Sequence, residues 1–171
     1  MMKTRPLHLL IGALGGLSAT GPMTVLMERW HRRLPPDERH ALPPREITNE
    51  LESKAGADKS QGEGKAATVL INHFAYGAAA GGLYAMLVGG RSRLGIPFGI
   101  LVWLVSYFGF LPMVSLLRPA GEHSPRRNLL MFGVHVVWGA LLEMFVKEMM
   151  RERAEGTGAL ITETGQPDRD R

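Results

Sequence analysis

The sequence predicts an all-α, polytopic membrane protein with four transmembrane helices arranged as two antiparallel hairpins. Four windows of about 18–24 residues are almost free of charge, and a membrane-spanning helix needs about 20 apolar residues. The mean hydropathy of −0.01 averages these windows with the strongly charged segments between them. A soluble helix would instead interleave its charges along an amphipathic stripe. The predicted helices cover residues 7–27, 67–90, 94–117 and 128–147.

The first window follows two basic residues, Lys3 and Arg5, which is also the pattern of a signal peptide. Its apolar run continues to Met27, however, and is longer than the apolar region of a signal peptide. We therefore expect this segment to be retained as the first transmembrane helix.

The long connection between the first two predicted helices covers residues 28–66. Within it, Ile47, Leu51 and Ala55 recur at four-residue spacing after Pro43-Pro44, which predicts a short amphipathic helix over residues 45–55. This helix is expected either to lie at the membrane interface or to pack under the bundle. The other two connections are short, as in antiparallel hairpins. Residues 1–153 thus form one membrane domain, and the polar residues 154–171 are expected to be a disordered tail.

The basic residues indicate a membrane surface rather than a nucleic acid as the partner of the +4 chain. They are concentrated at the ends of the predicted helices, where they set topology and contact anionic headgroups. Eleven flank the face of the long loop and seven the other face, so we expect a cytoplasmic loop and external termini. The eleven are Arg29, Arg32, Arg33, Arg39, Arg45, Lys54, Lys59, Lys65, Arg118, Arg126 and Arg127; the seven are Lys3, Arg5, Arg91, Arg93, Lys147, Arg151 and Arg153.

Small residues recur at four-residue spacing in three of the predicted helices. The pairs are Gly12 with Gly16, Gly77 with Gly81, and Gly95 with Gly99. Such spacing lets helices approach closely in lipid. We interpret these faces as packing surfaces, within the chain or between copies in a homo-oligomer.

Two short motifs occur twice. The sequence HFAYGA that begins at His73 recurs as HVVWGA from His135, and GPMTVLM (residues 21–27) is similar to GFLPMVSLL (residues 109–117). In antiparallel hairpins, both histidines and both prolines would lie roughly 7–10 Å inside the same membrane face. The pattern predicts either a parallel internal repeat about an axis along the membrane normal or a chance match of apolar segments.

The repeat defines a candidate polar layer near one membrane face. A proline inside a helix frees the carbonyl four residues earlier, here that of Ser18 or Phe108, and a neutral imidazole can donate to such a group. The candidate site consists of His73, His135, Tyr76, Trp138, Tyr107, Ser106, Thr24 and Glu28, with Pro22 and Pro112 as helix breaks.

Three functions are compatible with this layer. The histidines either stabilise the bundle structurally by donating to the freed carbonyls, to Tyr107 or to Ser106, or form a path for a small solute or a proton. Alternatively, His73 and His135 ligate haem or another metal, and zinc would need a third ligand such as Glu28. The chain has no Cys and no G-x-S-x-G or H-E-x-x-H motif. We therefore expect no catalytic residues and no cofactor, with haem at His73 and His135 as the alternative.

Several segments resemble a known family. These are GGLSATGPMTVLME, LPPREIT, HFAYGAAAGGLY, VWLVSYFGFLPM and RPAGEHSPRRNLLMFGVHVVWGALL. They cover most of residues 12–142 and are similar to the YagU-like family of small bacterial inner-membrane proteins. The resemblance implies a location in the bacterial plasma membrane, but no activity is established for that family.

Overall fold

The computed structural model describes residues 5–56, 62–88, 93–117 and 120–164, and this part of the chain is helical with short connections. A π-helical segment, Val105–Gly109, joins two of the helices, and Pro36–Glu38 and Ala120–Glu122 form 3₁₀ turns. The predicted all-α class is confirmed. The α-helices are α1 (Arg5–His31), α2 (Pro43–Lys54), α3 (Gly62–Val88), α4 (Gly95–Leu104), α5 (Phe110–Met113) and α6 (Pro125–Thr164).

Three stretches of the described chain are long and apolar enough to cross a membrane. They are Pro6–His31, Gly95–Met113 and Pro125–Glu155. The helix α3 is as long as α1, 27 residues, but it is not among these candidate spans; it contains Asn72, His73 and several glycines. The described part of the chain is therefore all-helical with three helical stretches that could span a membrane, one fewer than the four that the sequence predicts.

The helix α1 is at the centre of the bundle. It packs against α3 on one side and α6 on another, while α4 packs mainly against α6. Gly15 near the start of α1 lies against Val146, far along α6, whereas Trp30 near the end of α1 lies against Gly133 near the start of α6. These two helices are therefore antiparallel.

The contact between α1 and α3 depends on glycines. A Cβ atom at Gly12 would overlap the carbonyl oxygen of Gly81, and one at Gly16 would overlap that of Gly77. The two backbones thus touch along two turns, which only residues without a side chain allow. The glycine faces predicted to mediate packing are used within the chain, so a homo-oligomer would need another surface.

The contact between α4 and α6 is similar but is shifted relative to the repeated motif. A Cβ atom at Gly95 would overlap the carbonyl oxygen of Gly139, and one at Gly99 would overlap that of His135. In the repeated motif, Gly139 corresponds to Gly77, which faces Gly16 of α1. In the structure, however, the residue of α6 that faces Gly99 of α4 is His135. The motif and the packing differ by one helical turn, so His73 and His135 do not occupy equivalent positions in the two pairs.

The two prolines behave differently. The helix α1 continues through Pro22 without interruption, so the predicted helix break there is wrong. Near Pro112, by contrast, the chain changes from α4 to the π-helical segment and then to the four-residue α5. The helical path ends in turns after Met113, where Ser115 has a positive φ of 55°. Pro112 therefore lies at a real break.

The helix α6 continues to Thr164, whereas the sequence predicts a disordered tail from residue 154. Ion pairs of Arg151 with Glu148 and Glu155, at helical spacing, stabilise this extension. Earlier in α6, Glu143 accepts a hydrogen bond of 2.8 Å from the backbone N–H of Gly95 and so caps α4. Residues 165–171 of the predicted tail and residues 89–90 of the predicted second helix lie outside the described residues.

Candidate ligand-binding cavity

A cavity of about 350 Å³ lies between the helices on the side of the long loop. Its walls include Met27 of α1, His73 of α3, Leu111 of α5 and His135 of α6, so every helix except α4 contributes. We call this space the histidine cavity. The helix α2 covers it from the loop side with four apolar residues, Pro43, Pro44, Ile47 and Leu51.

Most of the predicted polar layer surrounds this cavity. Trp138 lies against an adjoining space of only about 30 Å³, which both histidines and Tyr76 also border. The bundle therefore does bring these distant sequence positions together. The predicted residues that line the histidine cavity itself are His73, Tyr76, Ser106, Tyr107 and His135.

Four of the predicted residues lie elsewhere. Thr24 and Glu28 line a second pocket, nearer the loop, which His73 also borders. Pro22 is exposed on α1, and Pro112 lines a third pocket beside Arg127. The hydroxyl hydrogen of Thr24 is used within α1, because it is donated to the carbonyl oxygen of Thr20 at 2.7 Å.

His135 has a defined hydrogen bond, although not the expected one. Its Nδ1 lies 2.7 Å from the carbonyl oxygen of Met131, one turn earlier in the same helix. Since a carbonyl only accepts, Nδ1 must carry the proton. In the neutral ring, Nε2 then has the free lone pair. The expected donation from His135 to a carbonyl freed by proline, or to Tyr107 or Ser106, is therefore wrong.

Two other polar atoms beside the histidine cavity are buried. Nε2 of His73 and the hydroxyl of Tyr107 have no hydrogen-bond partner within the described part of the chain. The side chain of Tyr107 is only 2% exposed, and its ring contacts those of Trp103 and His123. Buried polar groups are normally paired, so this region has unused hydrogen-bonding capacity.

Two hydrogen bonds connect α3 to its neighbours around the cavity. The hydroxyls of Tyr76 and Ser106 are 2.8 Å apart and join α3 to the π-helical segment. Asn72 donates through Nδ2 to the hydroxyl of Thr48 in α2 at 3.1 Å. The first bond closes a side wall, and the second holds the cover in place.

The inner end of the cavity is closed by a short chain of hydrogen bonds. The indole N–H of Trp138 donates to the hydroxyl of Thr20 at 3.2 Å, and this hydroxyl donates to the carbonyl oxygen of Gly16 at 2.7 Å. Phe98 stacks against Trp138. Beyond this level the helices are in backbone contact, so the cavity ends near the middle of the bundle.

Arg127 links α6 to α2, the helix that covers the histidine cavity and that we call the cover. It is only 1% exposed, and its guanidinium donates to the carbonyl oxygen of Ala41 at 2.8 Å and to Nδ1 of His123 at 3.0 Å. It also lies 3.4 Å from a carboxylate oxygen of Glu46 in α2. At the other end of α2, Glu52 pairs with Lys65 at the start of α3.

The role of Arg127 and the function of α2 as a cover were not predicted from the sequence. Arg127 was expected to be one of several topology-determining charges, although its side chain is buried. Two signals were present: an amphipathic helix expected to pack under the bundle as one alternative, and the adjacent pair Arg126-Arg127 at the start of a helix. A local pattern does not show which of two adjacent arginines points inward.

The described residues contain no group of three His, Asp or Glu side chains placed to hold a metal ion. Zinc binding with Glu28 as a third ligand stays a prediction. Haem ligation by two histidines stays a prediction. The tautomer of His135 is the one that a ligating histidine has, because its second nitrogen is held by a carbonyl.

The sequence matches no protein-family model. No characterised protein and no solved structure is significantly similar to it. The function is therefore inferred from the geometry of the chain itself.

Proposed function

We propose that this chain is a multi-pass protein of the bacterial plasma membrane that binds a small, largely apolar molecule in the histidine cavity. The observation that carries this proposal is the cavity itself: about 350 Å³, mostly apolar, with a few hydrogen-bonding groups on its walls. Small-molecule sites typically have roughly 300–1,000 Å³ and this composition. His135 offers an acceptor to the ligand, and Tyr76 and Ser106 offer hydroxyls.

The proposal includes α3 as a fourth transmembrane helix. It exposes the large apolar side chains of Leu70, Ile71, Leu83 and Leu87, as expected for a helix in contact with lipid. It is also in backbone contact with α1, a candidate span. A helix that touches a transmembrane neighbour over two turns shares its membrane depth, and its polar residues face the cavity rather than lipid.

Binding is better supported than passage through the membrane. The half of the bundle away from the loop is filled by glycine contacts and by the fully buried Leu142 and Val146. A solute could cross only if α1 and α3, or α4 and α6, separated. The proposed site is therefore a cavity with access from the loop side or laterally from the bilayer.

Haem binding is the second candidate, and the tautomer of His135 is the observation that favours it. A visible spectrum of the purified protein tests it directly. A Soret band that disappears in His73→Ala or His135→Ala would support the haem site. A colourless preparation would exclude haem as the resident group.

The main proposal is tested by filling the cavity. Met131 lines it and is 1% exposed, whereas Met144 on the same helix is 52% exposed. Native mass spectrometry with 1-dodecanol as an apolar probe should show one molecule bound to the wild type and to Met144→Trp. Met131→Trp should bind at least about tenfold more weakly.

Equal binding by the wild type and both variants would contradict the proposal, as would a wild type that binds no probe. Ala75 also lines the cavity and is exposed. Ala75→Trp therefore provides a second filling variant if Met131→Trp does not fold.

A further inference from the structure

The second pocket, on the loop side of the histidine cavity, is strongly basic. It has a volume of about 650 Å³ and lies between the end of α1, the loop before α2 and the start of α3. We call it the arginine pocket. Its charged and titratable residues are Arg32, Arg39, Arg45, His31, His40, His73 and Glu28, so three arginines face one carboxylate.

The rim of the arginine pocket is held in shape by hydrogen bonds. The side chain of Arg39 donates through Nε to the carbonyl oxygen of Leu34 at 2.6 Å. Nε2 of His31 lies 2.9 Å from the carbonyl oxygen of His40, to which it donates. These two bonds fold the loop back on the end of α1. The arginines are thus presented around a preformed space.

The arginine pocket and the histidine cavity adjoin each other. Three residues, Met27, Pro44 and His73, line both spaces. One space is mostly apolar and lies within the bundle, and the other is basic and lies at its end. The two adjoining spaces are thus apolar within the bundle and positively charged at its outer end.

We propose that this combined site binds an anionic amphiphile, a membrane lipid with a phosphate headgroup and a hydrocarbon chain. The phosphate would be bound by Arg32 and Arg45, which recognise phosphate through charge-assisted hydrogen bonds. The chain would pass His73 into the histidine cavity. Basic pockets at the ends of transmembrane helices suit such headgroups. This inference rests on the proposed function, because it requires that the histidine cavity binds an apolar chain.

The outer part of the site has a wall that suits a lipid. Val69 and Leu70 of α3 line the arginine pocket beside its charges, and Leu70 is 46% exposed. A headgroup at this level therefore lies where the predicted membrane surface meets the loop. A free phosphate would use the arginines but not the apolar wall or the cavity behind it.

Titration of the full-length protein in detergent, followed by native mass spectrometry, tests the inference with three probes. The probes are dodecyl phosphate, 1-dodecanol and inorganic phosphate. The wild type should bind dodecyl phosphate at least about tenfold more tightly than dodecanol. The double variant Arg32→Gln/Arg45→Gln should lose this preference and still bind dodecanol as the wild type does.

The matched control is Arg29→Gln/Arg33→Gln, which removes two exposed arginines near the same helix end that do not line the pocket. It should keep the preference for dodecyl phosphate. An equal loss in the control would overturn the inference, because the effect would then be one of general charge. Inorganic phosphate that displaces bound dodecyl phosphate as effectively as free dodecyl phosphate does would overturn the inference too. A phosphate site alone would then explain the binding.

The outcomes separate this inference from the proposed function. Equal affinity for dodecyl phosphate and dodecanol, with both lost in Met131→Trp, would remove the inference and leave the apolar site intact. Binding of neither amphiphile to the wild type would remove both.

Discussion

The two histidines of the repeated motif have different environments. His135 is tied to a carbonyl of its own helix, whereas Nε2 of His73 is buried without a hydrogen bond to the described residues. A buried polar atom without a partner lowers stability. Since His73 lies between two cavities, a ligand bound there would offset this cost.

Replacement of His73 by Leu should therefore raise the free energy of unfolding by about 1 kcal/mol or more, because it removes a buried polar atom that has no hydrogen bond to the described residues. His135→Leu should cost about 1 kcal/mol, the typical value of a hydrogen bond within the membrane. Unfolding of the purified protein in mixed micelles, followed by circular dichroism, measures both values.

A loss above about 2 kcal/mol for His73→Leu would mean that the imidazole has a structural partner. The double variant is informative for ligand binding. If both side chains contact one dodecanol molecule, the loss of affinity in the double variant should be smaller than the sum of the single losses.

At the level of helices, the α1–α3 contact should be the least tolerant of added volume. Gly16→Ala should lower the free energy of unfolding by about 1–3 kcal/mol, because the new methyl group would overlap the carbonyl of Gly77. Gly21→Ala is the matched control on the same helix, since nothing lies within 4 Å of the position that its methyl group would occupy. It should stabilise the helix by up to about 1 kcal/mol. Equal effects of the two substitutions would show that this contact does not form.

The cover formed by α2 should depend on Arg127. Removal of one partner of a buried charged cluster typically costs about 3–5 kcal/mol, so Arg127→Met should free α2 from α6. Amide hydrogen exchange of residues 45–54 should accelerate strongly in this variant. It should not change in Arg126→Met, because Arg126 is 67% exposed and its ion pair with Glu38 is long, 3.6 Å. Unchanged exchange in Arg127→Met would show that other contacts hold the cover.

The helices themselves were largely predictable from the sequence, because charge-free windows and four-residue glycine spacing are local signals. The amphipathic helix predicted over residues 45–55 is Pro43–Lys54, and the first predicted helix, residues 7–27, lies within Arg5–His31. The interruption near Pro112 was also expected. The effect of Pro22 was not, because a helix packed on both sides can continue through a proline when its neighbours hold it in place.

The site was predicted only in part. The residues around the histidine cavity were found because ionisable groups in apolar windows are conspicuous. The hydrogen bonds of these residues were not predicted. They depend on how α4 and α6 pack, and this packing is shifted by one turn relative to the repeated motif because of how side chains along both helices fit together. That fit is a property of the assembled bundle and leaves no short-range pattern in the chain.

For the whole molecule, the number of spans is open to a direct test. Since the chain has no Cys, single cysteines can be introduced at Ala79 in α3 and at Val102 in α4. Both should resist a membrane-impermeant thiol reagent, because each would lie in the hydrocarbon region. Gly56→Cys, in the loop, is the positive control. Strong labelling at Ala79→Cys would remove α3 from the set of transmembrane helices.

The distribution of basic residues predicts the orientation, with the covered end of the bundle in the cytoplasm. A reporter that is active only outside the cytoplasm should work when fused to the C-terminus. Activity of a reporter that functions only in the cytoplasm, fused at the same place, would reverse the orientation. The arginine pocket would then face the other leaflet.

The length of α6 has a consequence for the outline of the protein. Its 40 residues make a rod of about 60 Å, about twice the thickness of the hydrocarbon layer. The antiparallel α1 lies beside much of this rod, because Gly15 contacts Val146 and α1 begins ten residues before Gly15. Only the last part of α6 therefore extends past α1 as a single helical stalk. The protein is thus asymmetric along the axis of the bundle. A molecule that approaches the membrane from that side meets the stalk before the bundle.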